Sequence, residues 1–317
     1  MAENLANSDN NPNKDLSRAY EAWSDAGWGM IMTGNVQIDI NHLGSFSDPA
    51  VQTQYTGPND KNLKSWREYA EACQKHDSGF SGVELHAAHG YLLDQFLSPK
   101  SNFRTDAYGG SAEKRAKIVL DILGGCREVV PANFCIGLKL NSADHSAASF
   151  EDIMAQIGMF ANAGIDFLEI SGGTYENPRM VDGDKPAVSQ TKSARTAARE
   201  AFFLDFAKET RKRYPNLVLM LTGGFRSRAG AEAAIKENAC DIVGIARPAA
   251  INPRLPELFL GENIAEEDTQ ITLNKVRPGW LPKLLRSQVL GAGAETTHYG
   301  NQIHRLAKGL PTYAPDL

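Results

Sequence analysis

The stretch GVELHAAHGYLLDQFLSPKSNFRTDAYGG, Gly82 to Gly110, opens with a short apolar run and then sets two histidines and a tyrosine, His86, His89 and Tyr91, ahead of a polar segment rich in turn formers. Read as a strand, its first residues put Val83 and Leu85 on one face and Glu84 and His86 on the other, because successive side chains of a strand point opposite ways. The same division recurs in CIGLKLNS (135–142), where Ile136, Leu138 and Leu140 oppose Gly137, Lys139 and Asn141, and in FLEISGG (167–173), where Leu168 and Ile170 oppose Glu169 and Ser171. Three strands thus share one uniformly apolar face and one that turns polar toward the C-terminal end. That pattern suits a TIM (β/α)8 barrel, whose strands pack outward on helices while the C-terminal rim of the interior carries the active site. A doubly wound sheet would bury both faces more evenly.

The rest of the chain fits that frame. Further apolar runs ending in turn formers are GMIMTGN (29–35), LVLMLTGG (217–224) and IVGIARP (242–248). Helical periodicity is expected over Asp15–Ala26, Leu63–His76, Ala112–Val129, Phe150–Ala163, Thr196–Tyr214 and Ala229–Glu237, and strands alternating with helices imply βαβ units and a parallel sheet. Residues 1–317 read as a single barrel domain. Residues 268–317, with the helix-like WLPKLLRSQVLG and GNQIHRLAKGL, read as a helical extension that packs on it or covers it.

Composition narrows the function. A chain of 317 residues with 42% hydrophobic and 22% charged residues is ordinarily globular. A net charge of −5 with scattered Lys and Arg gives no basic field for nucleic acid. No apolar run approaches the roughly 18 residues of a membrane span. Cys73, Cys126, Cys135 and Cys240 form no CxxC pair, and the N-terminus is polar, so a reducing, cytoplasmic setting is expected.

At the strand end, two neutral imidazoles can donate to one oxygen and a nearby phenol can deliver a proton, which together would polarise a carbonyl and protonate the carbon beside it. Zinc is the weaker reading, since a catalytic zinc asks for three protein ligands and no HExxH or cysteine pair accompanies these histidines. A rim in which the histidines only cap or fill space is the third. Gly223 and Gly224 in LTGGF, with Arg247 in GIARP, suit phosphate binding after the last two strands of a barrel, or simply a tight turn.

The chain resembles the Old Yellow Enzyme family, the FMN-dependent NAD(P)H oxidoreductases and ene-reductases, and in particular its fungal members. The resemblance is carried by GVELHAAHGYLLDQFLSPKSNFRTDAYGGSAEKR and, in order, by MTGNVQID, GLKLNSADH, EISGGTYENPRM, LTGGFRSRAGAEAAI, VGIARPAAINPRLP and GAGAETTHYGNQIHRLAKGLPT. It implies that His86 and His89 bind the carbonyl oxygen of an α,β-unsaturated substrate and that Tyr91 protonates its α-carbon. It implies a place for Lys139 beside flavin N1 and the C2 carbonyl, and for Ala2 at the flavin edge. Gly34, Gly223, Gly224, Ala246 and Arg247 match flavin or phosphate contacts. NADH or NADPH would be the reductant and a small enone, such as a fungal secondary metabolite, the substrate.

Two family segments are missing. MAENLAN resembles the end of the first strand, and near KHDSGFSG (75–82) no third strand with a QxNHPGR-like motif is present. Five residues, Asp77 to Ser81, are too few for a parallel crossover, which needs about a dozen. An open seam beside the fourth strand and weakened FMN binding are expected. Two other readings therefore stand beside the reductase: a barrel that binds an enone-like ligand without redox chemistry, and a shortened product that folds poorly.

Overall fold

Five of the apolar runs form strands: β1 Gly82–Ala87, β2 Cys135–Asn141, β3 Phe167–Ser171, β4 Val218–Thr222 and β5 Ile242–Gly244. The computed structural model describes residues 3–52, 60–74, 80–142, 149–171, 204–273, 276 and 288–315, without the side chains of 288–295. All four ladders are parallel, and the strand order follows chain order without reversal. Winding in one direction is the topology of a (β/α) barrel, whereas a doubly wound sheet reverses at a switch point.

The helices are α1 Lys14–Ser24, α2 Lys61–Cys73, α3 Leu92–Leu97, α4 Ala112–Val129, α5 Phe150–Asn162, α6 at 204–213, α7 Arg228–Lys236, α8 Arg247–Ile251, α9 Leu255–Leu260 and α10 Gln288–Ala307. Their starts are chemically marked. Asn13, Ser111, Ser149 and Ser227 each accept, through the side chain, a backbone N–H of the first turn, from Leu16, Lys114, Asp152 and Gly230. The extended Val130 and then Pro131 end α4, because proline cannot continue the hydrogen-bond ladder.

Contacts sort the chain into two compact units, Met1–Phe80 with Ala246–Leu317, and Ser81–Ile245. In the second, one face of the sheet (Ile136, Leu138, Leu140, Leu168, Ile170, Leu219, Leu221) packs on Val119 and Leu123 of α4 and Ile153, Ile157 and Phe160 of α5. Arg115 ties these helices together: nearly buried, it reaches Asp152 at 2.7 Å and the Leu97 carbonyl at 2.8 Å. In the first unit Leu16, Ala19, Tyr20 and Trp23 of α1 pack with Tyr69 and Cys73 of α2 and with Tyr299, Ile303 and Ala307 of α10. The second tail segment is thus core material, while most of WLPKLLRSQVLG lies outside the described residues.

One expected strand is absent. Residues 30–36 form no ladder among the described residues, and the nearby bridge pairs Gln37 with Ala50. Alternating apolar residues make a strand only where a neighbour supplies hydrogen bonds. The third-strand motif that would lie beside this run is lacking in the sequence. Consistently, β1 pairs only with β2 among the described residues, and its Val83 is 41% exposed. No described helix is long and apolar enough to cross a membrane.

Candidate active site

Register decides which polar groups meet. His86 lies opposite Lys139, Lys139 opposite Glu169, and Asn141 opposite Ser171, and residues paired across parallel strands share a face. The inner face of β1–β3 therefore gathers Glu84, His86, Lys139, Asn141, Glu169 and Ser171. Gly137 makes room on it: a Cβ there would collide with the Phe167 ring.

Lys139 sits between two carboxylates, 2.8 Å from Glu84 and 2.9 Å from Glu169, all three largely buried. One cation cannot neutralise two buried anions. Burial, with the Glu169 charge added, raises Glu84 to about 8 against the pull of Lys139. For Glu169 burial also opposes ionisation, but Lys139 and the hydrogen bonds Glu169 accepts outweigh it and hold it below the usual range. Burial likewise works against the lysine charge, and Glu169 and Glu84 prevail and keep it protonated. At neutral pH the triad is best described as protonated Glu84, cationic Lys139 and anionic Glu169.

Beyond β1 the rings of His86 and His89 stand edge to face with centroids 5.0 Å apart, and those of His86 and Tyr91 at 4.9 Å. Burial first, then the Lys139 charge and His89, push His86 down to about 2, so its imidazole is neutral at physiological pH. The Ala88 N–H points at His86 Nδ1 at 3.3 Å, which leaves the His86 proton on Nε2. That nitrogen meets His89 Nδ1 at 3.3 Å, so His89 carries its proton on Nε2, 3.0 Å from Ser171 Oγ. The polarity of this relay makes Ser171 an acceptor from His89. It does not activate the serine as a nucleophile, which would need His89 Nε2 free to take the hydroxyl proton.

Of the residues singled out in the sequence, His86, His89, Tyr91 and Lys139 are therefore brought together. Gly223 and Gly224 follow β4 in the same unit with φ of 130° and 85°, conformations L side chains rarely adopt, and lead into the Ser227-capped α7. Gly34, Ala246 and Arg247 belong to the other unit. There the Gly34 N–H donates to Glu3 Oε1 at 2.8 Å and approaches the Tyr20 hydroxyl at 2.8 Å, while Tyr20 in turn donates to Glu3. Ala246 precedes α8, and the Arg247 guanidinium lies 5.9 Å from the Tyr299 ring centre. Ala2 lies outside the described residues.

A flavin fits this donor set in part. An ammonium has three donors; the two carboxylates take two, leaving one N–H of Lys139 for a ring oxygen. The Gly223–Gly224 turn offers backbone N–H groups suited to a phosphate. Gly34, in contrast, has its N–H occupied by Glu3. Sequence reading passed over Glu84 and Glu169 as partners of Lys139, and Asn141, Ser171 and Asp94 as partners of the histidine turn. The available signal was the alternation that put most of them on one face.

Comparison with known proteins identifies the family. A model of the NADH:flavin oxidoreductase / NADH oxidase family matches residues 60–262. An NADH-dependent flavin oxidoreductase, iliE, of Hypocrea jecorina (strain QM6a) is 33% identical over 364 residues, covering 89% of this chain and 89% of that protein. Its namesake in Neonectria sp. (strain DH2) is 33% identical over 390 residues, covering 96% of this chain but 51% of that protein, so the chain spans about half of that relative's length. An alignment of 390 positions against a chain of 317 residues means that the relative carries segments with no counterpart here. Among solved structures, the old yellow enzyme homologue from Zymomonas mobilis superposes with a TM-score of 0.63 at 18% identity, over 86% of this chain and 91% of that one. Morphinone reductase gives 0.62 at 19%, over 84% and 85%. The fold class is thus the (β/α)8 barrel of the Old Yellow Enzymes, and by its sequence the chain belongs to the NADH:flavin oxidoreductase / NADH oxidase family, a family of flavin-dependent oxidoreductases.

Proposed function

We propose that the protein is an FMN-dependent ene-reductase, which reduces the C=C bond of an α,β-unsaturated carbonyl compound at the expense of NADH or NADPH. The observation that carries this reading is the ring cluster at the end of β1, with centroids at 5.0 and 4.9 Å around a neutral His86. A substrate carbonyl entering there takes two Nε2–H donors. It displaces the 3.3 Å His86–His89 bond, at the weak end for a hydrogen bond, and the 3.0 Å bond from His89 to Ser171, so two existing bonds are exchanged for two to the carbonyl. Neutral imidazoles suit the task, since they polarise the carbonyl without delivering a full charge. FMN, when bound, supplies the hydride for the β-carbon. Tyr91 gives its phenolic proton to the α-carbon and recovers one from solvent, which completes the addition of one hydride and one proton. Lys139 offers its remaining N–H to the flavin ring, and Gly223 and Gly224 offer backbone donors to the phosphate.

The NADH-dependent relatives favour NADH, and their fungal origin keeps a secondary metabolite as the expected class of substrate. Four free cysteines accord with a reducing cytoplasm. The test is spectroscopic: titrate the purified protein with FMN, reduce it with NADH, and add an enone. Bleaching of the yellow protein by NADH and return of colour with the enone support the reading. A cooperatively melting protein that ignores FMN supports instead a barrel that binds its ligand without redox chemistry, the reading to which the Glu3-occupied N–H of Gly34 lends weight.

A further inference from the structure

Between β1 and α3 the chain turns through two successive residues of positive φ, His89 at 64° and Gly90 at 80°, closed by the Tyr91 N–H on the Ala88 carbonyl at 3.3 Å. Glycine reaches this region freely; histidine does so against the clash of its Cβ with the backbone. The bonds that hold His89 there come from two other elements. Asn141, at the end of β2, accepts the His89 N–H at 3.2 Å through its carbonyl oxygen. Its amide then donates to Asp94 Oδ2 of α3 at 2.9 Å, and that same oxygen accepts the Gly90 N–H at 2.6 Å. Asn141 is 4% exposed, so these bonds do not compete with solvent. A single carboxylate oxygen thus fastens the turn directly at Gly90 and, through Asn141, at His89.

We propose that Asp94 and Asn141 are positioning residues for the substrate half of the site: they hold the left-handed turn that places the His89 ring between His86 and Ser171 and returns Tyr91 over His86. A capping role alone would concern only the six-residue α3, whose N-cap, Tyr91, makes no side-chain cap bond. The clamp instead reaches across to β2. Its consequence for turnover rests on the reductase reading; its geometry does not.

Two measurements on the full chain test it. Imidazole nitrogen NMR at neutral pH should show His86 and His89 as neutral Nε2–H tautomers. Asp94→Leu and Asn141→Ala should shift the His89 signals, whereas Asp94→Asn, which keeps an oxygen for both donors, should leave them near the wild-type positions. In the FMN-loaded protein the two disruptive variants should slow reoxidation by an enone roughly 10- to 100-fold, as expected when a reacting group is misplaced by about an ångström, with flavin reduction by NADH retained. Unchanged His89 signals in both disruptive variants overturn the proposal, as does an Asp94→Asn variant as impaired as Asp94→Leu, or equal loss in both half-reactions. Should Asp94→Leu fail to fold, Asn141→Ala carries the test without a change of charge. If the His89 signals respond as expected but no variant, wild type included, passes electrons to an enone, the reductase reading falls and the positioning role stands.

Discussion

On one face of the sheet Leu138 and Ile170 are fully buried against helical side chains, while one position away Glu169 is almost as buried and Lys139 largely so, and both are held by ion pairs. The apolar face loses stability in proportion to the atoms removed, because its contacts are many and individually weak. The polar face behaves as a unit, because each buried charge depends on a few partners. The comparison can be broken most forcefully at Lys139. Lys139→Met leaves the Glu169 carboxylate buried beside protonated Glu84 without a cation, and urea unfolding at neutral pH should show a loss of about 3–5 kcal/mol. That loss should shrink toward pH 5, where Glu169, no longer held ionised by the lysine, can protonate as well. Leu138→Ala should cost slightly less, about 3 kcal/mol, and the same amount at every pH. A pH-dependent Leu138→Ala, or a pH-independent Lys139→Met, would erase the distinction between the faces.

Both faces were legible in the alternation of β1–β3, and the α4 bounds were read correctly because Ser111 and Pro131 punctuate both ends. Less visible was everything set by register. Asn141 stands 52 residues from His89 and Glu169 lies 85 residues from Glu84, and only the pairing of β1, β2 and β3 brings them together. The 29–35 run misled because an apolar pattern does not reveal whether a neighbouring strand exists to complete it. The six-residue α3 is too short to show periodicity, so nothing in the sequence marks Asp94.

Smaller changes sharpen the same comparison. Gly137→Ala pushes a methyl group into the Phe167 ring and should cost about 1–3 kcal/mol, read as a lower melting temperature. Glu84→Gln should be nearly silent below about pH 4.5, where folded and unfolded chains both keep the Glu84 proton. The difference emerges with pH: Glu84 holds its proton to about 8 when folded against an ordinary value of 4.5, so folding takes up a proton in that window. The Glu84 contribution to stability therefore falls as pH rises from 4.5 through 8, most visibly above 6.5 where His86 does not oppose it, and the glutamine variant should lose that slope and be the more stable protein at pH 9. His86 works in the opposite sense. Depressed to about 2 from 6.5, it makes the folded state bind fewer protons than the unfolded one, so stability falls as pH drops below 6.5 and the variant should keep this acid limb.

Stopped-flow kinetics of Tyr91→Phe resolve the central claim, that the ring cluster serves the substrate rather than the cofactor. The FMN-loaded variant should be reduced by NADH at close to the wild-type rate and reoxidised by an enone roughly 100-fold more slowly, the usual scale of a lost proton donor. Equal slowing of both half-reactions, or no slowing of the second, would contradict the account.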